Sequence, residues 1–151
     1  EIYNPAEQEP YPRYLPTHEE NGAYPLRLMT APTRHGLNAS FNERDDLREK
    51  QVAMKLLMSG EDAAARNLSD GELVTAWNDL GEVAFQLEVS SAVPAGIAVA
   101  EGVWWIEFAP GDRTVNALVS QRLTDRGNGS TFYDNRVEVR KRVKLLGGET
   151  S

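Results

Sequence analysis

Residues 30–41, TAPTRHGLNASF, bring hydroxyl, guanidinium, imidazole and amide side chains together directly after an apolar stretch. Such a loop either turns the chain or holds something polar. Guanidinium and backbone N–H groups bind phosphate oxygens, whereas amides and hydroxyls can pair with the edges of a heterocyclic ring. The residue types therefore predict a binding loop for a polar ligand, with an ordinary turn as the alternative.

Side chains suited to covalent or acid–base catalysis are scarce in this chain. The two histidines are His18, in a proline-rich segment, and His35, and neither is expected to be held by packed elements as the base of a catalytic triad must be. The absence of cysteine excludes disulfides, thiolate zinc sites, iron–sulfur ligation and a cysteine nucleophile within the chain. We therefore expect no catalytic residue and no metal ligand here.

Glycine-containing motifs elsewhere in the chain are better explained as turns. DRGNGS, residues 125–130, matches neither G-x-x-x-x-G-K-[ST] nor a strand–G-x-G-x-x-G–helix arrangement, the two glycine motifs that cradle phosphates. SDG at 69–71 and GDR at 111–113 both lack the D-T/S-G sequence of an aspartic-protease barrel. Neither a nucleotide-binding glycine loop nor a hydrolase is indicated.

Net charge and hydropathy exclude two further classes of partner. A formal charge of −7 argues against nucleic-acid binding, which depends on clustered Lys and Arg. The one basic stretch, RVEVRKRVK at 136–144, alternates with valines and predicts a strand with a solvated face. No apolar run approaches the ~20 residues that cross a bilayer. We expect a soluble protein without direct membrane insertion, in either the cytoplasm or the periplasm.

The chain length of 151 residues predicts one folded domain with a single core. Five prolines within residues 4–25 disfavour both helix and central strand, so residues 1–23 are expected to form an extended arm that links to upstream domains. The folded unit is expected over 24–145, followed by a tail at 146–151. Because the sequence opens on Glu1, we interpret it as a fragment of a longer protein, with a processed mature protein as the alternative.

Period-two apolar patterns predict that most of the folded unit is made of short strands. Strands are predicted at 24–30, 52–58, 97–101 and 137–145, although a helix running from 52 through 68 competes with the second of them. The runs 72–78 and 82–90 predict an antiparallel hairpin with Gly81 at its bend.

Helical and irregular segments separate these strands. In SGEDAAARNL at 59–68, Ser59 can cap a short helix whose first turn carries Asp62. The charged run 42–51 predicts another short helix or an exposed excursion. GVWW at 102–105 is interpreted as strand, so that one tryptophan at least packs in the core. Residues 114–135 are polar and show no period. The pattern as a whole predicts a mainly β fold with one or two short helices, closed into a small barrel.

Three stretches together resemble the C-terminal dinucleotide-binding domain of molybdopterin oxidoreductases, the dimethyl sulfoxide reductase family. They are the loop after YPLRLMT, the segment EDAAARNLSDGELVTAWNDLGEV and the segment NALVSQRLTDRGNGSTFYDNRVEV. The family motif P-E-D-A-A-x-x-G-I-x-D-G-D-x-V is matched from residue 60 to Val74. Gly60 replaces the usual proline and Asn67 the usual glycine, and asparagine tolerates the left-handed conformation that ends such a helix.

This resemblance implies a double-psi β-barrel that binds part of a molybdopterin guanine dinucleotide within a larger molybdenum or tungsten oxidoreductase. The loop at 30–41 is similar to the family's P-H-x-L-N-S-x-F sequence, with Arg34 inserted. NALVSQRLTD is similar to the stretch that faces the nucleotide, and STFYDNRV to the one that closes over a pterin. The cofactor-binding residues implied in this way are Thr30, Pro32, Arg34, His35, Asn38, Ser40, Asn116, Gln121, Tyr133 and Asn135.

The resemblance also implies that the metal is held by the cofactor and by other domains, so the isolated domain is not expected to catalyse a reaction. Its implied partners are the remaining domains of the parent oxidoreductase and, as a candidate, an iron–sulfur electron-transfer subunit. The alternative is a stand-alone double-psi barrel that serves as an interaction or recognition module. NALVSQRLTD distinguishes the two hypotheses, because a recognition module gives no reason for that sequence.

Overall fold

Six strands close into a barrel in the structure, a computed structural model that describes residues 14, 16–20, 22–124 and 127–143. Around the barrel the strands follow the order β1–β5–β2–β4–β3–β6. The strands are β1 (Leu26–Ala31), β2 (Lys55–Met58), β3 (Leu73–Asn78), β4 (Gly81–Val89), β5 (Ile97–Glu101) and β6 (Asn135–Lys141). Two α-helices, α1 (Asp45–Gln51) and α2 (Gly60–Ala65), and 3₁₀ helices at Ile106–Phe108 and Val115–Leu118 lie between them.

Two of the strand pairings are parallel and the other four are antiparallel. β1 runs parallel to β5 with Ala31 beside Glu101, and β2 runs parallel to β4. β6 is antiparallel to both β1 and β3, so it begins at the end of the barrel where β1 leaves it. The mainly β, double-psi barrel fold that the sequence predicted is confirmed. We call the end where β1 and β5 finish the cleft end.

The core lies inside the barrel and is filled by alternate residues of every strand. Leu28, Leu56, Met58 and Val137 each expose at most 1% of their surface, and Phe85 is the largest of the fully buried side chains. Burying one such side chain contributes about 1.5–3 kcal/mol. The period-two pattern therefore fixes which face of each strand points inward.

Helix α2 confirms the capped helix that the sequence predicted. The Ser59 hydroxyl accepts a hydrogen bond from the backbone N–H of Asp62 at 3.1 Å and donates to the Asp62 carboxylate at 2.8 Å. The same carboxylate accepts from the backbone N–H of Gly96 at 2.8 Å, and Arg66 joins Asp62 to Glu138 of β6. Asn67 adopts φ 54°, the left-handed conformation expected of it. This network fastens the helix to the end of the barrel opposite the cleft end.

The chain enters β2 later than the sequence pattern predicted. Val52 has φ 65°, is 74% exposed and donates its N–H to the carbonyl of Arg48, so it ends α1 instead of beginning a strand. Met54 is buried just before the strand starts at Lys55. The strand prediction for 52–58 is therefore right for its second half alone, because the turn after α1 uses the first residues.

The tryptophan pair also differs from the prediction in conformation. Residues 103–105 form a loop instead of a strand, and within it Trp104 is 7% exposed and Trp105 36%. One tryptophan thus packs in the core, as predicted, because the loop folds back over the barrel. The last strand spans Asn135–Lys141. Predictions for residues 1–13, 15, 21, 125–126 and 144–151 lie outside the described residues.

No helix among the described residues is long and apolar enough to cross a membrane.

Candidate functional site

An open cleft of about 140 Å³ lies where β1 and β5 end side by side. Parallel strands place their carboxyl ends at the same edge, where ligands of many proteins with parallel strands bind. The loops that leave β1 and β5 form one wall each, and a third segment closes the cleft from before β6. Its lining residues are Thr30, Ala31, Pro32, Thr33, Asn38, Gly102, Val103 and Tyr133.

Gly102 allows the two strand ends to come this close. Its N–H donates to the carbonyl of Ala31 at 2.8 Å, which extends the β1–β5 pairing by one residue. Its φ of 81° is left-handed, and a Cβ at this position would lie 2.5 Å from the Cγ2 methyl of Thr33. A larger residue would therefore push Thr33 into the cleft or away from it.

The loop after β1 is held in place by hydrogen bonds from buried and aromatic side chains. Asn42 is 2% exposed, and its amide N–H₂ donates to the carbonyls of Ala39 and Val103, both at 3.2 Å. The Trp105 indole donates to the carbonyl of Ala39 at 2.7 Å. Asn38 itself adopts φ 51°. The loop is thus preorganised by contacts to the segment after β5.

Two buried polar atoms beside the cleft have no hydrogen-bond partner in the described part of the chain. They are the hydroxyl of Thr33 and the indole N–H of Trp104. A Cβ on Gly102, which lines the cleft, would lie 3.2 Å from that indole nitrogen. A buried polar group without a partner costs about 1–3 kcal/mol.

The wall formed by residues 119–124 and 127–134 is organised by Asn135. This side chain is 3% exposed; its carbonyl oxygen accepts from the backbone N–H of Ser120 at 2.8 Å, and its amide donates to the carbonyl of Phe132 at 2.6 Å. Tyr133 is 48% exposed and packs on Phe132 with ring centroids 4.5 Å apart. Asn135 therefore positions the wall, and Tyr133 is the side chain that lines the cleft.

Asn116 lies on the 3₁₀ helix Val115–Leu118 at the same end of the barrel. Val115 and Leu118 are buried, while Asn116 is exposed. Asn78, at the end of β3, donates to the carbonyl of Leu118 at 2.9 Å. β3 runs antiparallel to β6, so β3 ends, and the β3–β4 turn lies, near the start of β6 at the cleft end of the barrel. The 3₁₀ helix contacts the end of β3 and therefore lies at the same end as the cleft.

The ten residues that the resemblance implied are divided by the structure into three groups. Thr30, Pro32, Asn38 and Tyr133 are brought together in the cleft lining. The exposed residues outside that lining are Arg34, His35 and Ser40 on the loop after β1, and Asn116 and Gln121 before β6. Asn135 is buried and engaged within the protein.

Sequence reasoning missed the cleft-lining residues Ala31, Thr33, Gly102 and Val103. A glycine directly after the apolar run 97–101 was the available signal, because it ends a strand where the chain must approach another backbone closely. Within the described ranges no three His, Asp or Glu side chains are placed to hold a metal ion. The arrangement offers hydrogen bonds and exposed cations to a ligand.

Comparison with known protein families finds a match at residues 26–136 to the family described as the Molydopterin dinucleotide binding domain. The chain is 32% identical over 130 residues to the probable oxidoreductase YoaE of Bacillus subtilis, covering 86% of this chain and 19% of that protein. It is 28% identical over 142 residues to the dimethyl sulfoxide reductase DmsA of Escherichia coli, covering 88% and 17%. The chain therefore spans about a fifth of the length of these relatives.

A solved structure shares the fold. The acetylene hydratase of Pelobacter acetylenicus matches with a TM-score of 0.74 over 88% of this chain and 21% of that chain, at 16% sequence identity. The region of that protein that matches this barrel is one part of a much longer polypeptide.

Proposed function

Because the chain belongs to the molybdopterin dinucleotide-binding domain family, we propose that its cleft and the two adjoining loops hold one molybdopterin guanine dinucleotide. We propose further that the chain is one domain of a larger molybdenum or tungsten oxidoreductase. The relatives support this second step, since they are named as oxidoreductases and this chain covers 19% and 17% of their lengths.

The observation that carries the proposal is the cleft between the ends of β1 and β5, which is lined by the hydroxyl- and amide-bearing residues Thr30, Thr33 and Asn38 and by Tyr133. Gly102 lines the cleft and has no side chain, so the space that a Cβ would occupy there remains free. A ligand rich in hydrogen-bonding groups fits a lining with hydroxyl and amide side chains better than a purely apolar ligand does. The residues present therefore fit the family's cofactor.

The proposed roles follow from side-chain chemistry. Amides and hydroxyls in the cleft, from Asn38, Thr30 and Thr33, pair with ring edges, and the Tyr133 ring offers an apolar face to a flat heterocycle. The exposed guanidinium of Arg34 is suited to phosphate oxygens.

Other implied residues have roles further along the same ligand. Asn116 and Gln121 are proposed to meet the nucleotide, and His35 and Ser40 to contribute from the rim of the loop. When bound, the cofactor supplies the dithiolene ligands and the redox chemistry of its metal. This domain binds and orients it.

We also propose that the remaining domains of the parent oxidoreductase complete the cofactor site. An open cleft of about 140 Å³ encloses only a small part of a dinucleotide. An iron–sulfur electron-transfer subunit is a further proposed partner of the parent protein.

Guanosine diphosphate titrated into the isotope-labelled 151-residue chain tests the binding assignment. A fragment that supplies part of the contacts meets the full cost of immobilising the ligand, so millimolar affinity, about −4 kcal/mol, is expected. Amide shifts should cluster at residues 30–41 and 114–135, with smaller ones for adenosine diphosphate because its base edge reverses the donor and acceptor pattern.

Asn38→Ala and Asn67→Ala form the matched pair for this titration. Both asparagines are exposed and left-handed, with φ 51° and 54°, but Asn38 lines the cleft and Asn67 ends α2 at the opposite end of the barrel. Asn38→Ala should weaken nucleotide binding severalfold and Asn67→Ala should not. Shifts confined to residues 136–143, or equal effects of the two variants, would refute the assignment.

A further inference from the structure

Arg136 of β6 holds a turn of the chain that precedes the barrel, which we call the arm segment, residues 17–20 and 22–25. Its Nε donates to the carbonyl of Glu19 at 2.6 Å and its Nη2 to that of Glu20 at 3.0 Å. Its Nη1 donates to the carbonyls of Tyr24 and Pro25, both at 3.1 Å. One guanidinium therefore engages four backbone carbonyls of the arm segment, and its planar fork is what reaches them all.

The arm segment in turn contacts the polar loop, defined as residues 119–124 and 127–134. The backbone N–H of Glu19 donates to the buried carboxylate of Asp134 at 3.1 Å. The Glu19 carboxylate pairs with Arg122 at 3.5 Å, and the His18 ring nitrogen Nε2 lies 3.4 Å from the carbonyl of Leu123. Two neighbouring residues of the arm segment thus hold both sides of the polar loop.

Apart from the arm segment, the polar loop is ordered by the two hydrogen bonds of Asn135 and by contacts within the loop itself. Residues 121–124 and 127–130 are all exposed. Its internal order comes from single hydrogen bonds, such as Thr124 N–H to the carbonyl of Gly129 at 2.8 Å and Thr131 hydroxyl to the carbonyl of Arg122 at 2.8 Å. Segments with few buried apolar contacts open at low free energy, so contacts from outside strongly affect their order.

We propose that Arg136 is a positioning residue for cofactor binding: by fixing the arm segment it orders the polar loop, which carries Gln121 and Tyr133. The step to the cofactor rests on the proposed function; the coupling between arm segment and polar loop does not. The chain that enters the barrel thereby adjusts the wall of the cleft, and a displacement of the arm segment loosens that wall.

Hydrogen exchange of the 151-residue chain tests the coupling. Arg136→Lys keeps the charge but replaces the fork with a single ammonium. We expect exchange at Ser120, Thr124 and Asp134, whose N–H groups are hydrogen-bonded, to accelerate on the order of tenfold. Arg140→Lys is the control, because Arg140 lies on the same face of β6 and is 58% exposed, and its contacts are to Glu82 and the Trp77 ring, with no hydrogen bond to the arm segment among the described residues. It should leave the polar loop unchanged.

Arg136 lies only two residues after the end of the polar loop, so a second variant tests the coupling without changing Arg136. His18→Ala/Glu19→Ala deletes the side-chain contacts to Leu123 and Arg122 and leaves the carbonyls held by Arg136 intact. It should accelerate exchange in the polar loop as well. If either variant accelerates exchange in the arm segment alone, or if Arg140→Lys acts like Arg136→Lys, the coupling is refuted.

Guanosine diphosphate titration of the same variants tests the step to the cofactor. Arg136→Lys should weaken binding severalfold relative to the unsubstituted chain and Arg140→Lys should not. Coupling in the exchange data with unchanged nucleotide affinity would overturn the positioning role. Failure of the unsubstituted chain to bind nucleotide would instead refute the proposed function, while the exchange data would still decide the coupling.

Discussion

Gly102→Ala perturbs the point where the two walls of the cleft meet, and its cost can be worked from the structure. Placing a Cβ on a residue at φ 81° costs about 1–2 kcal/mol. The new methyl would also lie 2.5 Å from Thr33 Cγ2, an overlap that costs a further ~1–3 kcal/mol unless Thr33 moves. We therefore expect Gly102→Ala to lower the free energy of unfolding by about 2–5 kcal/mol.

Gly96→Ala is the control that separates strain from overlap. Gly96 has φ 84°, and nothing lies within 4 Å of a Cβ built there. Its substitution should cost only the strain, about 1–2 kcal/mol. Urea denaturation of both variants measures the difference, and in thermal unfolding 1 kcal/mol corresponds to about 2–4 °C for a chain of this size.

Thr33→Ser completes a double-mutant cycle, because it removes the methyl that meets the new Cβ. In the double variant with Gly102→Ala, the part of the lost unfolding free energy that comes from the methyl overlap should be recovered. The part that comes from backbone strain at residue 102 should remain. If Gly102→Ala is no more destabilising than Gly96→Ala, or if Thr33→Ser restores nothing, the close contact of the two walls is refuted.

Two further predictions concern polar contacts away from the cleft. Asp62→Ala should lower the free energy of unfolding by about 3 kcal/mol in urea denaturation, because it removes the acceptor for the Gly96 N–H and Arg66; Asp62→Asn, which keeps an oxygen acceptor, should lose less, and equal losses would contradict this. The hydrogen bond from Lys141 lowers the pKa of Glu72 below its ordinary 4.5, so its stabilisation is present above pH 4.5 and is lost as pH falls through the lowered pKa. In urea denaturation across that pH range, the free energy of unfolding should fall less on acidification for Glu72→Gln than for the unsubstituted chain. The same pH dependence for both proteins would contradict the pairing.

Local sequence chemistry determined most of the elements. The Ser59 cap and the acid three residues later predicted α2, and Gly60–Ala65 is helical. The hairpin predicted at 72–78 and 82–90 is observed as Leu73–Asn78 and Gly81–Val89. Both signals act between residues a few positions apart, within reach of side chain to backbone hydrogen bonds and of one turn. Such signals can be read without knowing the rest of the fold.

Contacts between distant segments decided the remainder. Val52 carries a β-branched side chain typical of strands, yet the end of α1 places it at φ 65° and moves the start of β2 to Lys55. Asn135 was implied as a cofactor residue, and the structure shows it buried with both polar atoms bonded to Ser120 and Phe132. No local pattern reports whether an amide points to a ligand or to its own backbone.

The sequence alone thus determined most of the strands, their inward faces and, through its resemblance to a family, the class of ligand. The tertiary structure alone decided that Thr33 meets Gly102, that Asn135 is bonded within the protein and that Arg136 holds the turn before the barrel. The physical reason is that the β1–β5 pairing joins residues some seventy positions apart, Thr30 beside Ala100. Its register depends on packing the whole barrel core at once, and that packing is a property of all six strands together.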